Sequence, residues 1–310
     1  MTANTLKRYL CHEQWAIGLI PQSAGDIIRH GIRHPVQWRR PDSDWSLLAD
    51  PFLVETDGAT LVFMEHLDYR REPGEIWSGR LAPGASFAGM ALSPAISAPA
   101  HLSYPCPFFH DEKLYLLCES WERYGASIYT QGAGGWELRR TLLDGRPVVD
   151  PTLHRGADGT WWLFCTFQDD GPNERLHLFH AASPFGPWQA HGLNPVKSDI
   201  AGARPAGKLF FVDGALYRPA QDCSETYGGA ISINRVTALT PDRFEEELVR
   251  TIEPQQPFPH GVHTFSPGDG FTVIDGKRWV FHPLELFRKI ARLPRVRARR
   301  KELRRAAARL

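Results

Sequence analysis

One sequence pattern recurs five times along this chain, and an internal repeat of this kind constrains the fold more than any other feature of a sequence. In each repeat a short polar or proline-containing opening leads into an apolar strand, a turn follows, and an aromatic-rich strand returns. A segment of this length, roughly fifty residues, suits one four-stranded sheet with its loops. The openings begin at Asp50, Tyr104, Asp150, Arg204 and His263.

Radial repetition of such sheets predicts an all-β fold, a five-bladed β-propeller over residues 1–283. Asp-Gly pairs favour tight hairpin turns, because these turns need residues with positive φ. We expect residues 15–20 to supply the strand that closes the ring with the fifth repeat. A two-sheet sandwich is the alternative, since it also contains many short strands. The predicted hairpin turns are Asp57-Gly58, Asp158-Gly159, Asp213-Gly214 and Asp275-Gly276.

The five cysteines are odd in number and form no C-x-x-C pair, so we expect reduced, mostly buried thiols without a disulfide framework or a cysteine zinc site. Residues 1–20 lack the apolar centre of a secretory signal. No run approaches the roughly 18 apolar residues that span a bilayer. These features favour the cytoplasm, and the sequence indicates no cofactor and no metal.

The innermost strand of a propeller blade lines the central channel, so the first residue of each repeat is expected near the axis. Carboxylates combined with an arginine and a histidine suit the chemistry of glycosidic bonds, in which one carboxylate acts as base or nucleophile and another as acid. Asp50 is the candidate base or nucleophile. For the acid we favour Glu119, at the end of a strand in the second repeat, over Glu122.

Each of these residues also has a purely structural interpretation. An Asp-Pro pair is often a simple turn, because the Asp side chain bonds its own backbone and Pro fixes φ. Arg204 could form a structural ion pair, and His263 could be a buried core histidine. Their joint placement at matching repeat positions supports a site with Tyr104, Arg204 and His263 as substrate-binding residues.

The polar segment 220–229 adds two candidate ligands for sugar hydroxyls, Asp222 and Tyr227. The segment is otherwise a long hairpin loop, in which Gly228 and Gly229 permit a close approach of the backbone. Four tryptophans are candidates for stacking on sugar rings, although most are expected in the core. They are Trp121, Trp161, Trp162 and Trp188.

Over residues 15–282 the sequence resembles the N-terminal propeller domain of glucosamine inositolphosphorylceramide transferases and its bacterial relatives. That domain is similar in turn to the propellers of glycoside hydrolase family 43 and of the levansucrase and invertase families. In the plant proteins a separate transferase domain follows the propeller. This sequence has no counterpart to it, so the propeller is expected to act alone or with a partner protein. The matching stretches are 15–18, 48–52, 103–105, 149–152, 161–164, 183–188, 194–196, 203–207, 221–228 and 263–265.

The resemblance implies roles for three acidic residues. Asp50 matches the base or nucleophile at the start of the first blade. Asp150 matches a second Asp that stabilises the transition state or tunes a pKa, and Glu119 is our candidate for the acid. The second repeat opens with Tyr104-Pro105 where family 43 often has Asp-Pro. A hydrolase assignment therefore does not carry over intact.

Residues 284–310 form a basic tail, predicted as an amphipathic helix interrupted at Pro294. Residues 285–310 hold eleven Lys or Arg and two Glu, a net charge of +9, so residues 1–284 carry about −8. Such a segment is typical of a helix on an anionic membrane surface. A disordered basic tail is the alternative. A nucleic-acid arm is disfavoured by the acidic body and the absence of a nucleic-acid-binding motif.

The sequence thus predicts a carbohydrate-active enzyme that acts on glycosidic bonds in the channel. A cytoplasmic location at the inner face of the membrane favours sugar transfer in cell-surface glycan assembly. The substrates would be a sugar or sugar nucleotide and a glycan acceptor. Two alternatives are a glycoside hydrolase of the furanosidase type and a non-catalytic glycan-binding module.

Overall fold

The computed structural model describes residues 9–56, 58–71 and 73–307, and its strands form five antiparallel sheets. Each sheet holds four strands in meander order, and the third carries one further short strand. The five-bladed β-propeller predicted from the repeats is confirmed, and the two-sheet sandwich is wrong.

The chain starts in the last blade and then builds the other four in order. It begins with β1 (Cys11–Ile20), α1 (Ala24–His30) and β2 (Gln37–Arg39). Blade 1 contains β3 (Ser46–Thr56), β4 (Ala59–Asp68), β5 (Glu75–Leu81) and β6 (Leu92–Ile96). Blade 2 contains β7 (Ser103–His110), β8 (Lys113–Glu119), β9 (Ala126–Gly132) and β10 (Gly135–Leu142), with a 3₁₀ turn at Trp121–Arg123. Blade 3 contains β11 (Val148–Arg155), β12 (Trp161–Phe167), β13 (Arg175–Ala181), β14 (Gln189–Ala190) and β15 (Lys197–Ser198). Blade 4 contains β16 (Phe210–Val212), β17 (Ala215–Asp222), β18 (Ala230–Thr240) and β19 (Arg243–Ile252). Blade 5 adds β20 (Phe265–Pro267) and β21 (Thr272–Phe281), and α2 (Glu285–Ala307) follows.

The N-terminal strand closes the ring, as the sequence predicts. β1 pairs with β21 in antiparallel register from Cys11 opposite Phe281 to Ile20 opposite Thr272. β2 then completes the outer edge of blade 5. Because the first strand lies in the last sheet, blade 5 joins the two ends of the propeller through backbone hydrogen bonds.

The predicted Asp-Gly turns have different outcomes. Asp213 and Gly214 form the two-residue turn between β16 and β17, with φ of 49° and 79°. Asp158-Gly159 lies in the longer loop between β11 and β12. Asp57 lies outside the described residues. The turn predicted at Asp275-Gly276 is wrong, because both residues lie inside β21 and the hairpin turns before Thr272.

Three of the five repeat openings are β-bulges inside the innermost strands rather than turns at their ends, whereas Arg204 and His263 lie in the segments before β16 and β20. The register of β3 with β4 shifts between Ala49 and Phe52, and equivalent shifts follow Ser103 in β7 and Val149 in β11. At each bulge the residue before proline takes a positive φ, which is 52° for Asp50, 48° for Tyr104 and 47° for Asp150. Such a conformation costs a non-glycine residue about 1–2 kcal/mol. Proline fits the next position because a bulge does not need its missing N–H.

Helix α2 runs from Glu285 through Pro294 to Ala307, so the predicted interruption at Pro294 is wrong. A proline removes one helical hydrogen bond, and the flanking Ala, Leu, Arg and Lys residues favour the helix enough to continue it. Across the described ranges we find no helix whose length and apolarity would suit it to span a bilayer.

All five cysteines are free, and all except Cys11 are buried, as expected. The apolar core lies between neighbouring blades. Trp161 packs into the cluster between blades 2 and 3, whereas Trp162 packs toward blade 4. Adjacent residues of a strand face opposite sides, which explains this division.

Candidate active site

A cavity of about 210 Å³ lies where the five blades meet. Every blade contributes to its wall, which places the cavity on the axis of the ring. Six of the eight predicted site residues line it. These six are Asp50, Glu119, Asp150, Arg204, Tyr227 and His263, and the remaining wall residues are Glu13, Trp15, Leu47, Ala49, Glu65, Tyr69, His101 and Ser103.

Asp50 accepts hydrogen bonds with both carboxylate oxygens. The hydroxyl of Thr264 donates to Oδ1 at 3.1 Å, and the N–H of Tyr104 donates to Oδ2 at 3.1 Å. Burial raises the pKa of Asp50 to about 7, although the charge of His263 opposes the rise. At neutral pH the charged and the neutral form of Asp50 are therefore both populated.

His263 and Asp275 form a buried ion pair beside Asp50. Nδ1 of His263 lies 2.5 Å from Oδ2 of Asp275, and Nε2 lies 3.7 Å from Oδ1 of Asp50. Burial alone would lower the pKa of His263, but the charges of Asp275 and Asp50 raise it to about 9. Burial acts to raise the pKa of Asp275, yet His263 keeps it below its usual value. The imidazole ring stacks on Trp15, with centroids 4.0 Å apart.

Glu119 faces Asp150 across the boundary between blades 2 and 3. The N–H of Asp150 donates to Oε2 of Glu119 at 2.8 Å. Burial, followed by the charge of Asp150, raises the pKa of Glu119 well above its usual value. The raised pKa favours the neutral, protonated form of Glu119, which is the state required of a general acid.

Arg204 holds Asp150 from the opposite side. Its Nε donates to Oδ2 of Asp150 at 2.6 Å, and Nε2 of Gln221 donates to the same oxygen at 2.9 Å. Burial disfavours the charge of Arg204, but the neighbouring Asp150 raises its pKa above the usual range. The guanidinium lies 4.8 Å from the centroid of the Tyr227 ring, and both side chains line the cavity.

The carboxylates also hold the blades to one another. Asp275 of blade 5 accepts the N–H of Asp50 at 3.2 Å, Asp50 accepts that of Tyr104, and Glu119 accepts that of Asp150. Each of these amides belongs to a bulge and lacks a partner in its own sheet, and a buried N–H needs one. The same side chains therefore satisfy the bulged backbone and concentrate acidic groups at the axis.

Two predicted substrate-binding residues do not line the cavity. The fully buried Tyr104 ring packs on Phe52, and its hydroxyl accepts the N–H of Gly207 at 2.7 Å. Asp222 accepts both the N–H and the hydroxyl of Ser224, which makes it a turn residue. A bulge directs the backbone of its first residue to the axis without fixing where that side chain points.

Glu65 and Asp275 are acidic groups that the sequence analysis did not assign to the site. Glu65 pairs with Ala49 just as Glu119 pairs with Ser103, so aligning the first two repeats at this register would have found it. Asp275 was assigned to a turn because an Asp-Gly pair in a buried strand looks the same in sequence as one in a hairpin.

One group of residues has ligand atoms suited to a metal. The ligand atoms of Asp50, His263 and Asp275 lie within 4.8 Å of one another. An ion would have to displace the proton of His263, whose raised pKa favours the protonated form. The residues therefore fit their internal ion pair better than they fit a metal.

Most of the chain matches the model of a known protein family. The model of the family described as glucosamine inositolphosphorylceramide transferase 1, N-terminal, matches residues 39–257. The chain belongs to this family. The resemblance seen in the repeat openings is thereby confirmed.

Two plant glucosamine inositolphosphorylceramide transferases 1 are similar over much of this chain. The protein of Oryza sativa subsp. japonica is 36% identical over 211 residues, which cover 65% of this chain and 28% of the plant protein. The protein of Arabidopsis thaliana is 30% identical over 253 residues, which cover 75% of this chain and 32% of the plant protein. The chain thus spans about a third of the length of these relatives.

Solved structures share the fold of this family member at low sequence identity. An exo-β-1,3-galactanase from Clostridium thermocellum has a TM-score of 0.54 at 12% identity, covering 68% of this chain and 52% of its own. A GH43 β-xylosidase/α-arabinofuranosidase from a compost metagenome has a TM-score of 0.53 at 12% identity, with coverages of 76% and 90%. The α-L-arabinofuranosidase of Podospora anserina has a TM-score of 0.52 at 14% identity, with coverages of 74% and 76%. At such identities the likeness concerns the fold alone.

Proposed function

We propose that this chain is a carbohydrate-active enzyme that acts on glycosidic bonds in its central cavity and transfers a sugar during cell-surface glycan assembly. The observation that carries the proposal is the pair of cavity carboxyls with unlike environments. Glu119 has its pKa raised well above the usual value by burial, and the pKa of Asp50 is raised to about 7. Two carboxyls of this kind suit acid–base work on a glycosidic bond.

Each cavity residue has a role in this proposal. In its ionised form, Asp50 stabilises the positive charge that develops at the anomeric carbon or attacks that carbon. Glu119 donates a proton to the leaving oxygen, and Asp150 lies beside it with Arg204. Trp15 and Tyr227 supply aromatic surface for a sugar ring, since both line the cavity.

The names of the relatives support transfer over hydrolysis. Those plant proteins are named glucosamine inositolphosphorylceramide transferase 1, and the matched part is 28% and 32% of their length. By that analogy we propose an acceptor that is a hydroxyl-rich lipid or glycan and a donor that is an activated sugar. Hydrolysis corresponds to the same chemistry with water as acceptor.

Turnover by the purified chain tests the proposal. Wild type, Asp50→Asn and Glu119→Gln are incubated with a panel of nucleotide sugars and with aryl glycosides, and the products are identified by mass spectrometry. Transfer products with wild type and their loss in both variants would support transfer. Release of free sugar alone would mean a hydrolase. Saccharide binding without turnover by any of the three proteins would mean a binding module.

We also propose that helix α2 binds an anionic membrane surface on the cytoplasmic side. Its first turn is fixed to the propeller, because the buried carboxylate of Glu285 accepts from Nε of Arg288 at 2.9 Å and lies 3.5 Å from His12. Arg288 also donates to the carbonyl of Tyr69, a cavity residue, so the helix begins beside the cavity. Exposed apolar residues and many basic residues then combine on one helix, as in interfacial helices. The exposed apolar side chains are Leu284, just before the helix, and Phe287, Ile290 and Leu293 within it.

Vesicle co-sedimentation tests the membrane proposal. Wild type is expected to bind vesicles that contain phosphatidylglycerol and to leave neutral phosphatidylcholine vesicles in the supernatant. Phe287→Ser/Ile290→Ser is expected to bind less, and Phe211→Ser, an exposed residue of blade 4, is the matched control. Equal sedimentation of all three proteins would contradict the proposal.

A further inference from the structure

Glu65 is a cavity carboxylate to which the proposed reaction gives no role. It extends from β4 opposite Ala49, the residue before the Asp50 bulge, and Glu119 extends from β8 opposite Ser103 in the same way. At this register blade 3 has Thr166, opposite Val149, and blade 4 has Gln221, whose N–H bonds the carbonyl of Arg204. The fold of the repeat therefore does not require an acid here.

His101 fixes the orientation of Glu65. Nε2 of His101 lies 3.0 Å from Oε1 of Glu65, and Nδ1 accepts the N–H of Gly74 at 3.2 Å. A backbone N–H can only donate, so Nδ1 carries no proton in this arrangement and Nε2 donates to Glu65. The other oxygen of Glu65, Oε2, has no hydrogen-bond partner among the residues that the structure describes.

The Glu65–His101 pair lies on a more open side of the cavity than Asp50 and Asp275. The side chains of Glu65 and His101 are 12% and 24% exposed, whereas those of Asp50 and Asp275 are 8% and 0% exposed. Both residues line the same cavity as Asp50 and Glu119. An acceptor that enters from solvent would therefore meet Glu65 before it reaches the deeper carboxyls.

We propose that Glu65 is the general base that takes the proton of the acceptor hydroxyl, and that His101 is a positioning residue for Glu65. This inference rests on the proposed sugar transfer. The acceptor oxygen bonds to the anomeric carbon as its proton passes to Glu65. The bond from that carbon to the leaving oxygen breaks, and the leaving group departs as an anion or takes the proton of Glu119.

The other carboxyls suit this step less well. Glu119 has a pKa raised well above its usual value by burial and already accepts the N–H of Asp150, so it serves better as an acid than as a base. Asp50 accepts from Thr264 and from the N–H of Tyr104, and the proposed reaction already places it at the anomeric carbon rather than at the acceptor hydroxyl. Glu13 is more exposed, but Nε1 of Trp15 donates to one of its oxygens and Nζ of Lys277 lies 3.6 Å from the other. Glu65 combines a fixed donor on one oxygen with a second oxygen that has no hydrogen-bond partner among the described residues.

Sodium azide distinguishes loss of the general base from loss of the folded site, because azide is a nucleophile that needs no deprotonation. Glu65→Ala is expected to lose transfer to a hydroxyl acceptor by 10²–10⁴-fold, the usual size of a general-base effect. Added sodium azide is expected to restore donor consumption and to yield a glycosyl azide. Glu55→Gln, which removes an exposed carboxylate elsewhere in blade 1, should retain wild-type transfer.

The outcomes separate this inference from the proposed function. An active wild type, inactive Asp50→Asn and fully active Glu65→Ala would overturn the role of Glu65 alone. Loss of activity in Glu65→Ala without azide rescue would also overturn it. A wild type that turns over no saccharide would overturn the proposed function and the role of Glu65 with it.

His101 is tested by the pH profile of transfer. His101→Gln retains a side-chain N–H donor for Glu65, and His101→Phe does not. The phenylalanine variant is expected to lower kcat more than tenfold with little change in KM and to shift the acidic limb of the profile, and the glutamine variant is expected to restore most of the rate. Equal rates and profiles for both variants and wild type would contradict the positioning role.

Discussion

Asp275 contacts His263 through a buried ion pair, with Oδ2 of the carboxylate 2.5 Å from Nδ1 of the ring. The same carboxylate accepts the N–H groups of Asp50, His263 and Thr264. The side chain of Asp275 thus holds His263 and Thr264, which precede the inner strand of its own blade, and also the bulge at Asp50 in blade 1. The closure of the ring and the environment of Asp50 depend on the same group.

Asp275→Asn is expected to destabilise the protein by about 3 kcal/mol, because it leaves the charge of His263 buried without its main partner. Denaturant unfolding followed by tryptophan fluorescence measures the change. Asp269→Asn, at the exposed turn of the same hairpin, is the matched control and should shift stability by less than about 0.5 kcal/mol. Equal midpoints for the two variants would contradict the structural role of Asp275.

The stability of the protein is expected to fall as pH rises from 7 to 9.5. The pKa of His263 is raised from 6.5 to about 9, so the folded state holds this proton more tightly than the unfolded state. Its contribution is complete below pH 6.5 and is lost as pH passes through 9, which amounts to about 2–3 kcal/mol. Unfolding free energies measured across this range should decline for wild type.

His263→Gln isolates that effect from other titrations, such as that of Lys277, whose pKa is lowered by burial. The variant should lose the His263 part of the decline. If its unfolding free energy has the same slope with pH as wild type, His263 does not carry the effect.

Asp50→Asn is expected to stabilise the fold at neutral pH while it abolishes activity. The pKa of Asp50 is raised by burial from 3.8 to about 7, so ionisation of this residue opposes folding increasingly between those values and fully above pH 7. The variant should be about 1–3 kcal/mol more stable than wild type at pH 8. The difference should vanish near pH 4, and a constant difference at all pH values would refute this account.

Glu119→Gln is expected to leave stability within about 1 kcal/mol of wild type. The raised pKa of Glu119 favours its neutral form, which the amide resembles in shape and charge, and the amide still accepts the N–H of Asp150. Turnover should nevertheless fall by about 10²–10⁴-fold, since the amide cannot donate a proton to a leaving group. Thermal unfolding and turnover measured on one preparation would separate the two roles, and full activity would exclude Glu119 as the acid.

Tyr104→Phe is expected to lower stability by about 1–3 kcal/mol, because it leaves the N–H of Gly207 and the hydroxyl of Thr152 without this partner. Since the Tyr104 ring lies in the core, KM for any saccharide should not change. Tyr227→Phe, which alters a hydroxyl on a cavity residue, is the comparison. A higher KM for Tyr104→Phe, with an unchanged KM for Tyr227→Phe, would mean that Tyr104 binds the saccharide.

Repetition in the sequence determined the architecture and much of the site. Five matching openings predicted five blades, and they placed Asp50, Asp150, Arg204 and His263 at one axis. These predictions succeed because the position of a residue within its repeat can be read from the sequence. In the ring, residues at equivalent positions of successive repeats lie side by side around the axis.

The tertiary structure alone decided how those residues are used. Tyr104 shares its positive φ with Asp50 and Asp150, which line the cavity, but its ring packs on Phe52 and its hydroxyl bonds Gly207 and Thr152 in the core. The Asp-Gly pair at Asp275 lies in a strand, where His263 provides a buried partner. Glu65 acquires its orientation from His101, which follows it by a whole hairpin in the sequence. Side-chain direction and ion pairing between blades depend on contacts across the ring, and no local pattern of residues encodes them.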